Sequence, residues 1–93
     1  RMGNDNEQEI IASSNINVFP NPANNDITAV ISIDDSQQAK IIIYNLLGEI
    51  VKEKNLKNGG SKIDVSELKS GTYLYTIIID NNKVKNDKLI IVK

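Results

Sequence analysis

The chain reads as an all-β protein, a seven-stranded antiparallel sandwich, on three observations. Seven short runs rich in β-branched residues follow one another along its 93 residues, most of them alternating apolar and polar side chains. Clusters of Asn, Asp, Gly, Pro and Ser separate these runs at short, fairly even spacing. No apolar period of the helical kind persists for the ~11 residues of an average helix. Sixteen isoleucines supply most of the apolar mass. Branching at Cβ stiffens χ1 and suits a pleated surface.

Residues 1–14 are polar and read as a linker, with Arg1-Met2-Gly3 as a cloning remnant. A start at Arg rather than Met points to a piece of a longer protein. Ile10 and Ile11 are candidates to extend the first strand. That strand covers 15–19, where Ile16 and Val18 alternate with Asn15 and Asn17. Pro20 and Pro22 stop it, since neither can donate to a ladder and each holds the residue before it extended. The second strand, 26–33, sets Ile27, Ala29, Ile31 and Ile33 on one face. After the turn at Asp34-Asp35-Ser36-Gln37, the third strand, 39–45, does the same with Ala39, Ile41 and Ile43. Leu46-Leu47-Gly48-Glu49 reads as a tight hairpin with Gly48 at positive φ. The charges of 49–56 suit a solvated face or edge.

Asn58-Gly59-Gly60 is the strongest turn signal in the chain. A short strand, 61–65, follows with Ile63 and Val65. Residues 66–71 then form a loop or single helical turn plugged by Leu68. The longest strand, 72–79, places Tyr73, Tyr75, Ile77 and Ile79 on one face. The last strand, 83–92, carries Leu89 and Ile91 as core candidates, with a bulge or break expected at Asn86-Asp87. A tyrosine two residues after Gly71 at a strand start matches the corner tyrosine of Ig-like sandwiches, so the expected fold is Ig-like. Tyr73 should be buried with its hydroxyl on nearby backbone, and Gly71, like Gly48, at positive φ.

Composition excludes several functions. The chain has no His and no Cys, which removes the usual general base, the thiol nucleophile, disulfides and most transition-metal sites. No catalytic residue, cofactor or metal is assigned. Eleven basic and twelve acidic residues are interleaved to a net charge of −1. That is no footprint for nucleic acid or anionic lipid. No apolar run is long enough to insert into a membrane as a helix. Asp34-Asp35 and Asp64 with Ser66 and Glu67 are candidate hard-cation ligands. A solvated turn at the first and an Asx-type cap at the second fit better, because no Asp-x-Asp-x-Asp pattern surrounds them. A carbohydrate-binding module would need an exposed aromatic platform. Trp is absent, Tyr73 and Tyr75 fall on the core face, and Tyr44 alone is left for such a role.

Several phrases follow one another along the chain: Val18-Phe19-Pro20-Asn21-Pro22-Ala23, then Ile43-Tyr44-Asn45-Leu46-Leu47-Gly48, then Ile63-Asp64-Val65-Ser66 with Leu68, then Gly71-Thr72-Tyr73. The chain ends on Lys88-Leu89-Ile90-Ile91-Val92-Lys93. In this order and spacing they resemble the type A C-terminal sorting domain of the type IX (Por) secretion system, over residues 15–93. The resemblance implies an Ig-like fold and a secretion address. It implies as partners a fused N-terminal cargo domain, the outer-membrane translocon and a sortase-like cysteine protease that cuts upstream of the Pro-Asn-Pro strand, here within residues 4–15. It implies a secreted or cell-surface location reached through the periplasm. The family's signal lies mainly in its last strand, which assigns recognition to Lys83, Lys85, Lys88, Leu89, Ile91 and Lys93. Pro20, Asn21, Pro22, Gly48, Gly71 and Tyr73 are its structural motif. Tyr75 stands where the family is more often aliphatic. On the residues alone, Lys83, Lys85, Lys88 and Lys93 read as protection of an edge strand. A carbohydrate- or cell-surface-binding module and a plain structural spacer are the other readings. An address has to be C-terminal, and Val92-Lys93 reads as a true end.

Overall fold

The computed structural model describes residues 16–93; the linker reading of 1–14, the Ile10-Ile11 extension and the cut within 4–15 fall outside the described residues. Seven strands form in the expected order. They are β1 (Asn17–Phe19), β2 (Asp26–Ile31), β3 (Ala39–Tyr44), β4 (Ile50–Leu56), β5 (Gly59–Asp64), β6 (Gly71–Ile79) and β7 (Asn82–Ile91). All pairings between them are antiparallel. They make two sheets, ordered β1-β2-β5 and β4-β3-β6-β7. This is the Ig-like arrangement, with the fourth strand carried to the sheet of the third.

The inner faces of the two sheets meet in an aliphatic core. Ile27, Ala29 and Ile31 of β2 and Ile63 of β5 face Ile41, Ile43, Tyr75, Ile77, Leu89 and Ile91 of the larger sheet. Each set follows the period of two that puts alternate residues on one face. Leu68 closes the loop end as a buried plug. Val65 lies just past β5, fully buried, and its N–H donates to Asn25 O at 2.9 Å.

Two expectations need correction. The glycines at 59 and 60 are not the turn: both sit in the β2–β5 ladder, opposite Ile31 and Val30, and the chain reverses just before them. Nor is the last strand broken at Asn86-Asp87. Those residues pair regularly with Thr76 and Tyr75, and the register shifts one step earlier, where Ile77 faces Lys85 and Ile78 faces Lys83. Val84 is the extra residue. The polarity of Asn86 serves a cross-strand contact, because its Oδ1 accepts the Thr76 hydroxyl at 2.6 Å.

The register sorts the loops to two poles. Residue 16, the turns at 34–37 and 80–81, and the β4–β5 connection lie at one. The β3–β4 hairpin, the 65–70 loop, residues 20–25 and Lys93 lie at the other.

Candidate functional site

β7 lies at the edge of the larger sheet, and its residues divide by face. Lys83, Asn86, Lys88 and Ile90 stand opposite Ile78, Thr76, Leu74 and Thr72 on the outer face. Lys85, Asp87, Leu89 and Ile91 stand opposite Ile77, Tyr75, Tyr73 and Gly71 on the inner one. Leu89 and Ile91 are 0% and 1% exposed and belong to the core. Lys85 and Asp87 sit on the inner side where the sandwich opens, 4.0 Å apart, and form an exposed ion pair. Inward-pointing charges of this kind discourage another strand from docking. Asp87 also lies near Tyr75, whose phenol is pushed up to about 12 by burial first and by that carboxylate second.

The other half of the β7 edge is occupied. Past Phe19 the chain leaves the smaller sheet, and at Ala23 it makes a parallel bridge to Ile91. Asn21 Nδ2 donates to Lys88 O at 2.8 Å, and Ile90 N–H donates to Asn21 Oδ1 at 3.0 Å. Ala23 N–H donates to Ile90 O at 2.7 Å, and Val92 N–H donates to Ala23 O at 2.8 Å. The Pro-Asn-Pro phrase is therefore a strap along β7, where sequence reasoning saw only the end of a strand and the start of a loop.

Lys93 is held rather than displayed. Its Nζ donates to Asn24 O at 2.7 Å and Ser66 O at 3.1 Å, and lies 3.5 Å from Val65 O. Its backbone N–H donates to Ser70 Oγ at 2.9 Å. The same pole carries the tyrosine corner: the Tyr73 hydroxyl donates to Lys69 O at 2.7 Å, though the ring is half-buried rather than buried. Asp64 Oδ1 accepts both the hydroxyl and the N–H of Ser66, at 2.6 and 2.9 Å, which is the Asx-type cap. Those two bonds, hydroxyl first, hold its carboxyl below the ordinary range, with Lys52 and Lys93 adding to the effect. Glu67 is lowered by its own backbone N–H and then by Lys52, whose ammonium lies 3.1 Å away.

The β3–β4 hairpin hangs on one residue the sequence did not single out. Asn45 Oδ1 accepts the N–H groups of Leu47 and Glu49, and its Nδ2 donates to Glu49 Oε1. An Asn just ahead of a Leu-Leu-Gly turn was the available signal. Gly48 takes φ +88° as expected. Gly71 takes φ +157°, also positive as expected, a backbone conformation that side-chain-bearing residues rarely adopt. Leu46 and Leu47 project into solvent, and Tyr44 with Leu74 continues that apolar strip onto the outer face. Of the tyrosines, only Tyr44 faces outward. Asp34 Oδ1 is taken by the Ser36 hydroxyl and N–H, as in a solvated Asx turn. Among the described residues, no three His, Cys, Asp or Glu side chains gather where they could hold a metal.

The sequence from residue 17 to residue 93 matches the family of secretion system C-terminal sorting domains. The chain belongs to that family. As such a sorting domain it is a type IX secretion signal rather than a catalytic unit. It is part of a secreted or cell-surface protein. The sorting domain is 34% identical over 79 residues to ulvan lyase NLR42 of Nonlabens ulvanivorans, an alignment covering 84% of the chain and 14% of the lyase. It is 29% identical over 86 residues to an endo-acting ulvan lyase of Formosa agariphila, covering 91% of the chain and 16% of that protein. The chain thus spans about one-seventh of these relatives, and their lyase activity is named for proteins far longer than the shared region.

Proposed function

We propose that residues 15–93 direct a larger N-terminal cargo, a polysaccharide lyase by similarity to the two ulvan lyases, through the outer-membrane translocon. A sortase-like cysteine protease then removes the domain by cutting within residues 4–15, and the cargo is attached to the cell surface. The single observation that carries this reading is the family match across residues 17–93.

Within the domain, the machinery reads the outer face of β7. Lys83 and Lys88 are exposed there in one row with Ile90. Leu89 and Ile91 hold that row in place from the core side, and Lys93 ties its end to the loops. Recognition is by side chains of a folded strand, since strand addition along residues 88–92 would have to displace the strap.

The test fuses the whole chain behind a periplasmic reporter in a host with a type IX system. Export and trimming of the reporter are the expected result. A reporter that stays in the periplasm overturns the secretion reading. Replacing Lys83 and Lys88 with Gln then tests the recognition surface: the variant should fold and lose export. Lys93 is a poor choice for that test because its ammonium supports backbone.

A further inference from the structure

The strap meets β7 at a place where a normal ladder is impossible. Pro20 and Pro22 have no N–H to give. Between them, Asn21 uses its side chain as a substitute peptide unit, with Nδ2 donating to Lys88 O and Oδ1 accepting from Ile90 N–H at 2.8 and 3.0 Å. Ala23 continues the pattern with real backbone to Ile90 and Val92, and Asn24 O receives the Lys93 ammonium at 2.7 Å. Each outward-pointing edge group from Lys88 O to Val92 N–H thereby has a partner. A carboxamide is the side chain that can do this here, because it offers a donor and an acceptor together. Aspartate at neutral pH only accepts, and alanine does neither.

We infer that Asn21 is a positioning residue of the export signal. It clamps residues 88–93 to the first segment of the domain, so that Lys88 and Ile90 stand on a closed, ordered strand. A chain segment at the edge of a sheet and near a terminus frays unless it is tied down. The core contacts of Leu89 and Ile91 secure one side of β7, and Asn21 secures the other. This inference rests on the reading that the outer face of the last strand is what the machinery engages. It adds that the Pro-Asn-Pro phrase and the closing lysine phrase, at opposite ends of the sequence, form one structural unit.

The experiment compares Asn21→Ala, Asn21→Asp and Asn58→Ala with the parent, each as the whole chain behind the same reporter. Asn58 Oδ1 accepts Ile33 N–H at 2.9 Å at the far pole, so its variant loses a comparable bond away from β7. Amide hydrogen exchange should accelerate at Ile90 by about tenfold or more in Asn21→Ala, because that N–H loses its acceptor, with Ile41 and Ile43 unaffected. Export should fall in Asn21→Ala and Asn21→Asp and hold at the parent level in Asn58→Ala. If Asn21→Ala does not fold, Asn21→Asp decides, since it keeps the acceptor for Ile90 and loses only the donor to Lys88. Unchanged exchange at Ile90 in Asn21→Ala overturns the clamp. Faster exchange with full export, or equal loss in Asn58→Ala, overturns its role in the signal. Failure of the parent chain to export the reporter is a separate result and strikes the secretion reading itself.

Discussion

Tyr73 ties the start of β6 to the loop before it through one hydrogen bond to Lys69 O. Its ring is half-exposed, so the two contributions separate cleanly. Tyr73→Phe should cost about 0.5–1.5 kcal/mol, the net worth of one such bond, read from urea unfolding. A loss beyond that would mean the ring as well as the hydroxyl is disturbed. Gly48 at φ +88° has open space around it, so only backbone strain opposes a side chain there. Gly48→Ala should cost about 1–2 kcal/mol, and Gly71→Ala, at φ +157°, about as much. Stability unchanged by either substitution would remove the strain argument. Asp64 gives a pH dependence with a definite sign. Its carboxyl titrates lower in the folded chain than its ordinary 3.8, so it stabilises the fold above that range, and the contribution disappears as pH falls through the lowered value. The stability of the parent should exceed that of Asp64→Asn at neutral pH, and the two curves should converge in acid. Curves that stay parallel would remove Asp64 from the account. Tyr73 and Asp64 were legible as single letters in a local pattern. Asn21 was legible as part of a motif but not in its role, because its partners, Lys88 and Ile90, lie at the other end of the sequence.

At the scale of elements, all seven strands could be read from alternation and turn residues, and the inward faces of β2, β3 and β6 came out residue by residue. What failed was local register. Gly59 and Gly60 look like a turn by composition, yet pairing with β2 draws them into a strand, a tertiary preference that local propensity cannot see. Asn86-Asp87 look like a break, yet each has a regular cross-strand neighbour. The bulge falls at Val84, an apolar residue with no sequence mark. The lysines of the final phrase shared one label in the sequence and have different duties in the fold. Lys93 bonds backbone carbonyls, Lys85 pairs with Asp87, and Lys83 and Lys88 stand outward. Lys93→Gln should therefore destabilise the domain by about 1–2 kcal/mol, as loss of charge-assisted bonds implies. Lys83→Gln and Lys88→Gln should stay within about 0.5 kcal/mol, as surface changes do. Thermal melts of the three variants decide it, and a large loss in Lys88→Gln would mean that its charge also supports the fold.

For the whole molecule, the decisive feature is that the described chain begins at one pole and its last residue lies at the other, while the strap and β7 run side by side in the same direction. On the proposed reading, a cargo attached before residue 16 and a machine gripping the outer face of β7 pull along the strands in opposite senses. The bonds from Asn21 and Ala23 to Lys88, Ile90 and Val92 lie across that line, so tension loads them together in shear rather than peeling them one by one. Under load the strap acts as a mechanical latch: the domain resists being drawn out from its two ends until these bonds give way together. Single-molecule pulling between residue 16 and the C-terminus should show one cooperative rupture whose force drops in Asn21→Ala, and a force indifferent to that substitution would mean the load path runs elsewhere.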